Sequence, residues 1–252
     1  MKISLITVVY NRAATIERTI LSVLHQSYSD IEYIVVDGAS TDGTLSIIHQ
    51  YSRRIHQIIS EKDKGVYDAI NKGILAATGD IIGILHADDC FMHNDVISNV
   101  VQQFEQHSSA ECLFGDVCFV RQQNPNEIIR YVSSSIFTPQ RFRYGIMPAH
   151  PTFYCYKKYF DQHGLYRTDL DIASDFDLLL RFLKIHQLRY IYQPQLMVSM
   201  NLGGKSTSGL KSTFKINREI RKVLKEHGIQ SSYLRLYARY FIKVREFFYN
   251  NR

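Results

Sequence analysis

The amino-acid sequence predicts an α/β fold: a mixed, mainly parallel sheet flanked by helices and followed by a C-terminal helical tail. Three observations predict it. Apolar, β-rich runs recur at residues 3–9, 31–36, 55–60 and 81–85, and helical patterns at 13–25, 44–51 and 66–77 separate them. Strands alternating with helices make βαβ units, which lay the strands in parallel with both faces covered. Beyond residue 107 the alternation gives way to a hairpin pattern, and beyond 210 to two basic amphipathic helices.

Each later element has its own signal. The third helix carries Val66, Ala69, Ile70, Gly73 and Ile74 on one stripe. Asn94 and Asp95 open a helix that runs to residue 107. Strand-like runs at 111–121 and 127–132 flank the turn Gln122-Gln123-Asn124-Pro125-Asn126. Residues 152–156 read as a short strand. Residues 175–184 read as an amphipathic helix with Phe176, Leu179, Leu180 and Leu183 inward, and 189–200 as extended chain. After Gly203-Gly204, helices are expected at 214–227 and 233–249, joined by Gly228 and two serines. There is neither an internal repeat nor a low-complexity tract.

Composition narrows the functional classes. With 252 residues, 45% hydrophobic content, 21% charged residues, 14 Phe and 17 Tyr, the chain can fill a sizeable core, which excludes a stapled mini-protein and a disordered chain. Cys90, Cys112, Cys118 and Cys155 lack C-x-x-C spacing and read as reduced, buried thiols of the cytosol. No export signal opens the chain, and no apolar run approaches the roughly 20 residues that cross a bilayer. The net charge of +6 belongs to the tail: residues 205–252 hold twelve Lys/Arg against three acids, residues 1–204 eighteen against twenty-one. A cationic tail suits an anionic membrane face or a plain solvated surface. No RNA or DNA module accompanies it, so nucleic acid is not expected as a partner.

The candidate site follows from what stands after each strand, because open parallel sheets bind ligands beyond their carboxyl ends. Tyr10-Asn11-Arg12 follows the first strand, residues 37–43 (Asp-Gly-Ala-Ser-Thr-Asp-Gly) the second, Glu61-Lys62-Asp63-Lys64-Gly65 the third, and His86-Ala87-Asp88-Asp89 the fourth. Any one of these is readable as a turn or cap, Thr41 or Asp42 before Thr44 for example. Four in register make a site the better reading. Asp88 and Asp89 close a buried strand, where adjacent carboxylates repel unless a cation or proton intervenes. Mg²⁺ or Mn²⁺ answers that need, taking one or two carboxylates and completing its shell with water and phosphate oxygens. Asp37 is an acceptor suited to the N3–H of uracil or thymine, and Tyr10 offers a face for a base to stack on; a turn residue and a core aromatic are the simpler readings. Lys64 offers phosphate a point charge.

Taken in order, residues 7–12 (Thr-Val-Val-Tyr-Asn-Arg), 37–43, 61–69 (Glu-Lys-Asp-Lys-Gly-Val-Tyr-Asp-Ala) and 86–89 resemble the family 2 glycosyltransferases. The resemblance is dense to about residue 100 and thinner to about 210. It implies the GT-A fold, whose sheet is Rossmann-like, and transfer of a sugar from a nucleoside diphosphate donor, a UDP-sugar above all, to a hydroxyl with inversion. By the same resemblance Val8, Tyr10 and Asp37 hold the base, while Asp63, Lys64 and Asp68 line the nucleoside side. Asp88 and Asp89 match the acidic motif, Asp89 being the principal ligand of Mn²⁺ or Mg²⁺. His86 departs from the pattern, standing where many relatives carry an acid, and stays unassigned. Residues 173–178 (Ala-Ser-Asp-Phe-Asp-Leu) resemble the Glu-Asp motif with Ser174 in place of the glutamate, so that Asp175 matches the catalytic base. A helix N-terminus is expected to keep Asp175 ionised, an N-cap being its other reading. His150 and Lys205 are candidates for acceptor or phosphate contact, against a core histidine and a linker.

The resemblance further implies a bacterial surface-polysaccharide enzyme of the O-antigen kind, acting on a glycan or a polyprenyl-diphosphate-linked acceptor. It would be cytoplasmic and peripheral on the inner face of the membrane. Residues 1–210 would form the transferase domain (1–107 the nucleotide-binding half, 108–210 the acceptor side) and 211–252 the tail. Without tryptophan there is no Gln-x-x-Arg-Trp signature of processive synthases, so one sugar per event is expected. G-x-G-x-x-G is absent, which argues against a nicotinamide dehydrogenase. The alternative is a catalytically silent membrane-docking or scaffold protein with a degenerate site.

Overall fold

The computed structural model describes residues 1–121, 124–201 and 210–244. Among them the chain forms one nine-stranded sheet with helices on both faces. Strands β1 (Ile3–Val9), β2 (Ile31–Asp37), β3 (Gln57–Ser60) and β4 (Ile81–Ile84) are parallel and lie in the order β3-β2-β1-β4. Beyond β4 the sheet turns mixed. Strand β8 (Tyr154–Tyr156) is antiparallel to β4 and to β6 (Cys112–Arg121); β6 pairs in parallel with β9 (Tyr190–Asn201) and antiparallel with β7 (Asn124–Val132). A three-residue strand, β5 (Asp89–Phe91), runs antiparallel on the far side of β9.

The side-chain period of two sorts β1 and β2 into two cores. Ile6, Val8, Ile34 and Val36 face helices α3 (Val66–Ala76) and α6 (Ser174–Leu180), while Leu5, Val9, Tyr33 and Val35 face α1 (Ile16–Leu24), α2 (Thr44–Gln50) and α4 (Val96–Gln106). Burial on both faces explains why these strands read as continuous apolar runs. Helix α3 lies so close to β1 that a Cβ on Gly73 would stand 2.4 Å from the Ile6 side chain. At the opposite edge from the site, Glu32 ties the sheet together: Lys2 Nζ (2.8 Å), Ser4 Oγ (2.5 Å), Thr78 Oγ1 (2.5 Å) and the Thr78 N–H (2.7 Å) all donate to its carboxylate.

The tail helices α7 (Leu210–Glu226) and α8 (Tyr233–Val244) pack into the first core through Ile220, Val223, Leu224 and Leu236. Buried Arg239 fastens α8, donating to the Gly145 carbonyl (2.9 Å) and to Asn217 Oδ1 of α7 (2.6 Å). Phe214, Leu234 and Tyr237 remain exposed on these helices.

Some elements depart from the sequence reading. Helix α1 starts at Ile16 rather than at residue 13, because Thr44 Oγ1 and Asp42 Oδ2 take the N–H groups of Arg12 (2.8 Å) and Ala13 (3.1 Å) and hold them out of the helix. Asp88 and Asp89 do not close the fourth strand. That strand ends at Ile84, and the Asp89 N–H donates to the His86 carbonyl (2.9 Å) in a turn that leads into β5. The helix expected to run to residue 184 passes at Arg181 into a π-helical turn, Arg181–Ile185. Helix α5 (Lys157–His163) was not legible, since Phe160 is its one buried residue and leaves no stripe.

Candidate active site

The parallel register sets Val9, Asp37 and Ser60 level across β1, β2 and β3, so the loops that follow leave the sheet side by side. This is the convergence the sequence predicts. Asp37 is fully buried and accepts from the Ser40 N–H (3.1 Å) and the Ser60 hydroxyl (2.7 Å), which fixes the turn after β2. Asn11, at φ 51°, locks onto that turn, its N–H donating to Ser40 Oγ (2.8 Å) and its Oδ1 accepting from the Thr41 N–H (2.8 Å). Ala39 holds φ 62°, the kind of backbone strain that persists where neighbours over-determine a loop.

Above this turn lies a notch. A Cβ on Gly38 would fall 2.3 Å from Asp63 Oδ2 and 3.4 Å from the Tyr10 ring, so only glycine lets those two groups close over the backbone here. Tyr10 is 59% exposed, which makes it an available stacking face rather than a core aromatic. Val8 is buried beneath in the strand. Asp63 Oδ1 accepts the Gly65 N–H (2.8 Å), and Asp68 accepts the Lys64 N–H (3.0 Å), both tightening the entry to α3. The Lys64 side chain is exposed at that helix start.

The acidic turn separates its two carboxylates. Asp88 is held by Arg12 Nε (2.8 Å) and Thr15 Oγ1 (2.7 Å) from the α1 side. Asp89 is 3% exposed, and its Oδ2 is buried with no partner. Burial, and then the charge of Asp88, raises the Asp89 carboxyl well above the carboxylate range. Thr19 Oγ1 donates to the carbonyls of Ala87 (3.0 Å) and Asp89 (2.8 Å) and so fixes the turn's backbone. An orphaned, buried, hard oxygen beside a second carboxylate is a donor set that fits Mg²⁺ or Mn²⁺. Among the described residues no group of three or more His, Cys, Asp or Glu gathers to hold a metal, so a cation here would complete its shell from substrate and water.

A row of rings links this turn to Asp175. His86 and His150 lie 5.9 Å apart, His150 Nε2 is 2.7 Å from the Tyr166 hydroxyl, Tyr166 stacks on Tyr67 at 5.9 Å, and the Tyr67 hydroxyl is 3.5 Å from Asp175 Oδ1. His150 is buried, and burial with His86 alongside lowers its pKa to about 3. It is therefore neutral and acts as part of this wall, closer to the core-histidine reading than to a cationic phosphate contact. Asp175 sits in the first turn of α6 and accepts the Phe176 N–H (2.7 Å). Burial outweighs that hydrogen bond and raises its carboxyl to about 6. Desolvation is thus the largest effect on Asp175, set against the stabilisation of its charged form expected from a helix N-terminus.

Sequence reading missed three groups that build the site. Tyr67 donates to the Ile172 carbonyl (2.5 Å), Tyr166 carries the middle of the ring row, and Glu219 of α7 accepts the N–H groups of Ile172 (2.9 Å) and Ala173 (3.0 Å). Nothing local in the sequence marks Glu219, which lies far along the chain from its partners. A cavity of about 490 Å³ opens between Lys64 just before α3, Asp68 on α3, Asp171 and Ile172 on the loop before α6, and Lys215 on α7. Lys205 lies outside the described residues.

A mixed sheet with polar loops converging beyond its parallel strands, an orphaned buried carboxylate at Asp89 and a half-buried aspartate at the start of α6 fits a nucleotide-using α/β enzyme. The chain belongs to glycosyl transferase family 2, whose model matches residues 4–164. A PGL/p-HBAD biosynthesis glycosyltransferase of Mycobacterium bovis is 27% identical over 215 residues, which cover 84% of this chain and 81% of that protein. The Bacillus subtilis protein TuaG, provisionally named a teichuronic acid biosynthesis glycosyltransferase, is 26% identical over 231 residues, 88% of this chain and 89% of its own. Among solved structures, residues 1–349 of S. aureus TarS in complex with UDP-GlcNAc superpose with a TM-score of 0.70 at 20% identity, covering 89% of this chain and 66% of that one. A Pyrobaculum calidifontis mannosyltransferase in complex with GDP-Man and Mn²⁺ gives a TM-score of 0.64 at 19% identity, covering 92% and 65%. This chain spans 39% of the length of a longer TarS chain. The fold is GT-A-like, and the chain is a glycosyltransferase.

Proposed function

We propose that this chain is an inverting transferase that moves a single sugar from a UDP-sugar, or another nucleoside diphosphate sugar, to a hydroxyl of a glycan or polyprenyl-diphosphate-linked acceptor in bacterial surface-polysaccharide synthesis. The base of the donor stacks on Tyr10 in the notch over Val8, Gly38 and Asp63, whose shape Asp37 maintains from below. Lys64 and Asp68 line the way from the nucleoside toward the phosphates, with Lys205 a further candidate there. Asp89 would hold Mn²⁺ or Mg²⁺, with Asp88 beside it engaged by Arg12. When bound, the cation neutralises charge on the leaving diphosphate. Asp175 takes the proton of the acceptor hydroxyl as that oxygen attacks the anomeric carbon from the face opposite the diphosphate, which inverts the centre.

The observation that carries this reading is the half-buried Asp175 carboxyl, desolvated and poised at about 6 and joined through Tyr67, Tyr166 and His150 to the acidic turn. A base near neutral pKa combines a charged resting form with a real affinity for the proton it must take. The proposal includes a transferase domain over residues 1–210, a tail over 211–252 and a cytoplasmic site of action against the inner membrane face. Phe214, Leu234 and Tyr237, exposed among the tail's basic residues, support such peripheral contact, and among the described residues no helix is long and apolar enough to cross a membrane. The test is a panel of nucleotide sugars with Mn²⁺ or Mg²⁺, read by released nucleoside diphosphate and by transfer to a glycan acceptor. One donor should be turned over, and Asp175→Asn should lower kcat by about 10²–10⁴-fold with nucleotide binding retained. No turnover of any donor, or full activity of Asp175→Asn, would refute the reading.

A further inference from the structure

We infer that Glu219 of the tail helix α7 is a positioning residue for sugar transfer, holding the segment that carries Asp175 in its working place. The inference rests on the reading of Asp175 as the base. The segment before α6 needs acceptors, because a helix start leaves its first N–H groups without intrahelical partners. Its own side chains supply one, Asp175, to the Phe176 N–H (2.7 Å), and none to the N–H groups of Ile172 and Ala173. Ala173, at the N-cap, has no side-chain acceptor, and Ser174 Oγ is buried without a hydrogen-bond partner. The acceptor comes instead from α7: Glu219 Oε2 takes the N–H groups of Ile172 (2.9 Å) and Ala173 (3.0 Å), and Oε1 lies 3.3 Å from the Asp171 nitrogen. Lys215, one turn earlier on α7, pairs with Asp171.

From the opposite side Tyr67 donates to the Ile172 carbonyl (2.5 Å) while standing 3.5 Å from Asp175. Residue 172 is thus gripped at its N–H by α7 and at its carbonyl by α3, three residues ahead of the base. Effective catalysis depends on such grip, since small displacements of a reacting group cost rate steeply. Glu219 also acts through its charge. The titratable groups that face Asp175 are Tyr67 from α3, Tyr166 from the loop after α5 and Glu219 from α7, and Glu219 is the anion among them. Its charge makes Asp175 harder to ionise.

The experiment compares Glu219→Ala, Glu219→Gln, Glu219→Asp and Asp175→Asn in the full chain with the donor and acceptor that the panel identifies, folding being checked by circular dichroism. Glu219→Ala should lower kcat on the order of 10–100-fold with donor KM within about twofold of wild type. Glu219→Gln, having lost the charge, should move the acid limb of the kcat profile to lower pH, a shift that a purely structural role would not give. Glu219→Asp keeps the charge but retracts the carboxylate, so it should lose kcat with the acid limb unmoved; this variant and the glutamine variant decide the matter if the alanine variant fails to fold. Wild-type kcat and an unmoved acid limb in the glutamine variant, or a loss confined to donor KM, would overturn the inference. Activity in Asp175→Asn would instead overturn the assignment of the base, whatever Glu219 does.

Discussion

Asp175, half-buried, and Asp89, buried, are two carboxylates with different company, and they call for different experiments. As the proposed base, Asp175 must be charged to accept a proton, so with its carboxyl at about 6 the rate should fall as pH drops through that value and level off above it; a kcat profile in mixed buffers checks this. The limb should vanish with Asp175→Asn, whose residual rate is insensitive to pH over this range. Asp89 carries an orphaned oxygen, and its partner is expected from outside the chain. Mn²⁺ with UDP should therefore raise the melting temperature of the wild type, and Asp89→Asn should abolish that rise and cut activity about 10²-fold, read by scanning fluorimetry and by transfer assay. At this scale the sequence was informative where side chains act through type alone. Tyr10 and Asp63 were placed correctly at the sheet edge, and Tyr10 is indeed exposed. The ionisation of Asp175 was not legible, because it is set by desolvation in the folded chain, with Tyr67 and Glu219 acting on it from elsewhere in the sequence.

The elements of the first half were the most legible. Strands β1, β2 and β4 are covered on both faces, so each is a largely apolar run that stands out from its neighbours. Strand β5 escaped notice because three residues establish no period, and its pairing with β9 is a decision made by the second half. The pin that joins β1, β2 and the turn before β4 is Glu32. Burial opposes its charge, but the donors Lys2, Ser4 and Thr78 prevail and lower its carboxyl to about 2. A carboxyl depressed in the folded state stabilises above its unfolded value near 4.5 and loses that contribution as pH falls through about 2. Glu32→Gln should then cost on the order of 2 kcal/mol at neutral pH, with the gap to wild type closing as the pH of urea melts is lowered from 4.5 toward 2.

For the whole molecule, the tail is bound into the architecture on one face and open on the other. Its helical spacing and charge were plain in the sequence; which stripe docks was not, since both stripes contain apolar residues. Leu236 and Arg239 turn inward, and Leu234 and Tyr237 outward. The full chain should co-sediment with vesicles containing phosphatidylglycerol and not with phosphatidylcholine alone, and Leu234→Glu should weaken that binding while leaving the melting temperature within a degree or so, because the residue is 83% exposed.

The order of the sheet has a consequence for biogenesis. Strand β4 is flanked by β8, and Asp89 sits on a strand whose partner across the ladder is Met200. A ribosome that has synthesised the loops after β1 to β4 has still not made β9, the strand that pairs with β5 and its Asp89. A chain that ends before Tyr190 therefore lacks the strand that pairs with both β5 and β6, and leaves the Asp89 strand without its partner.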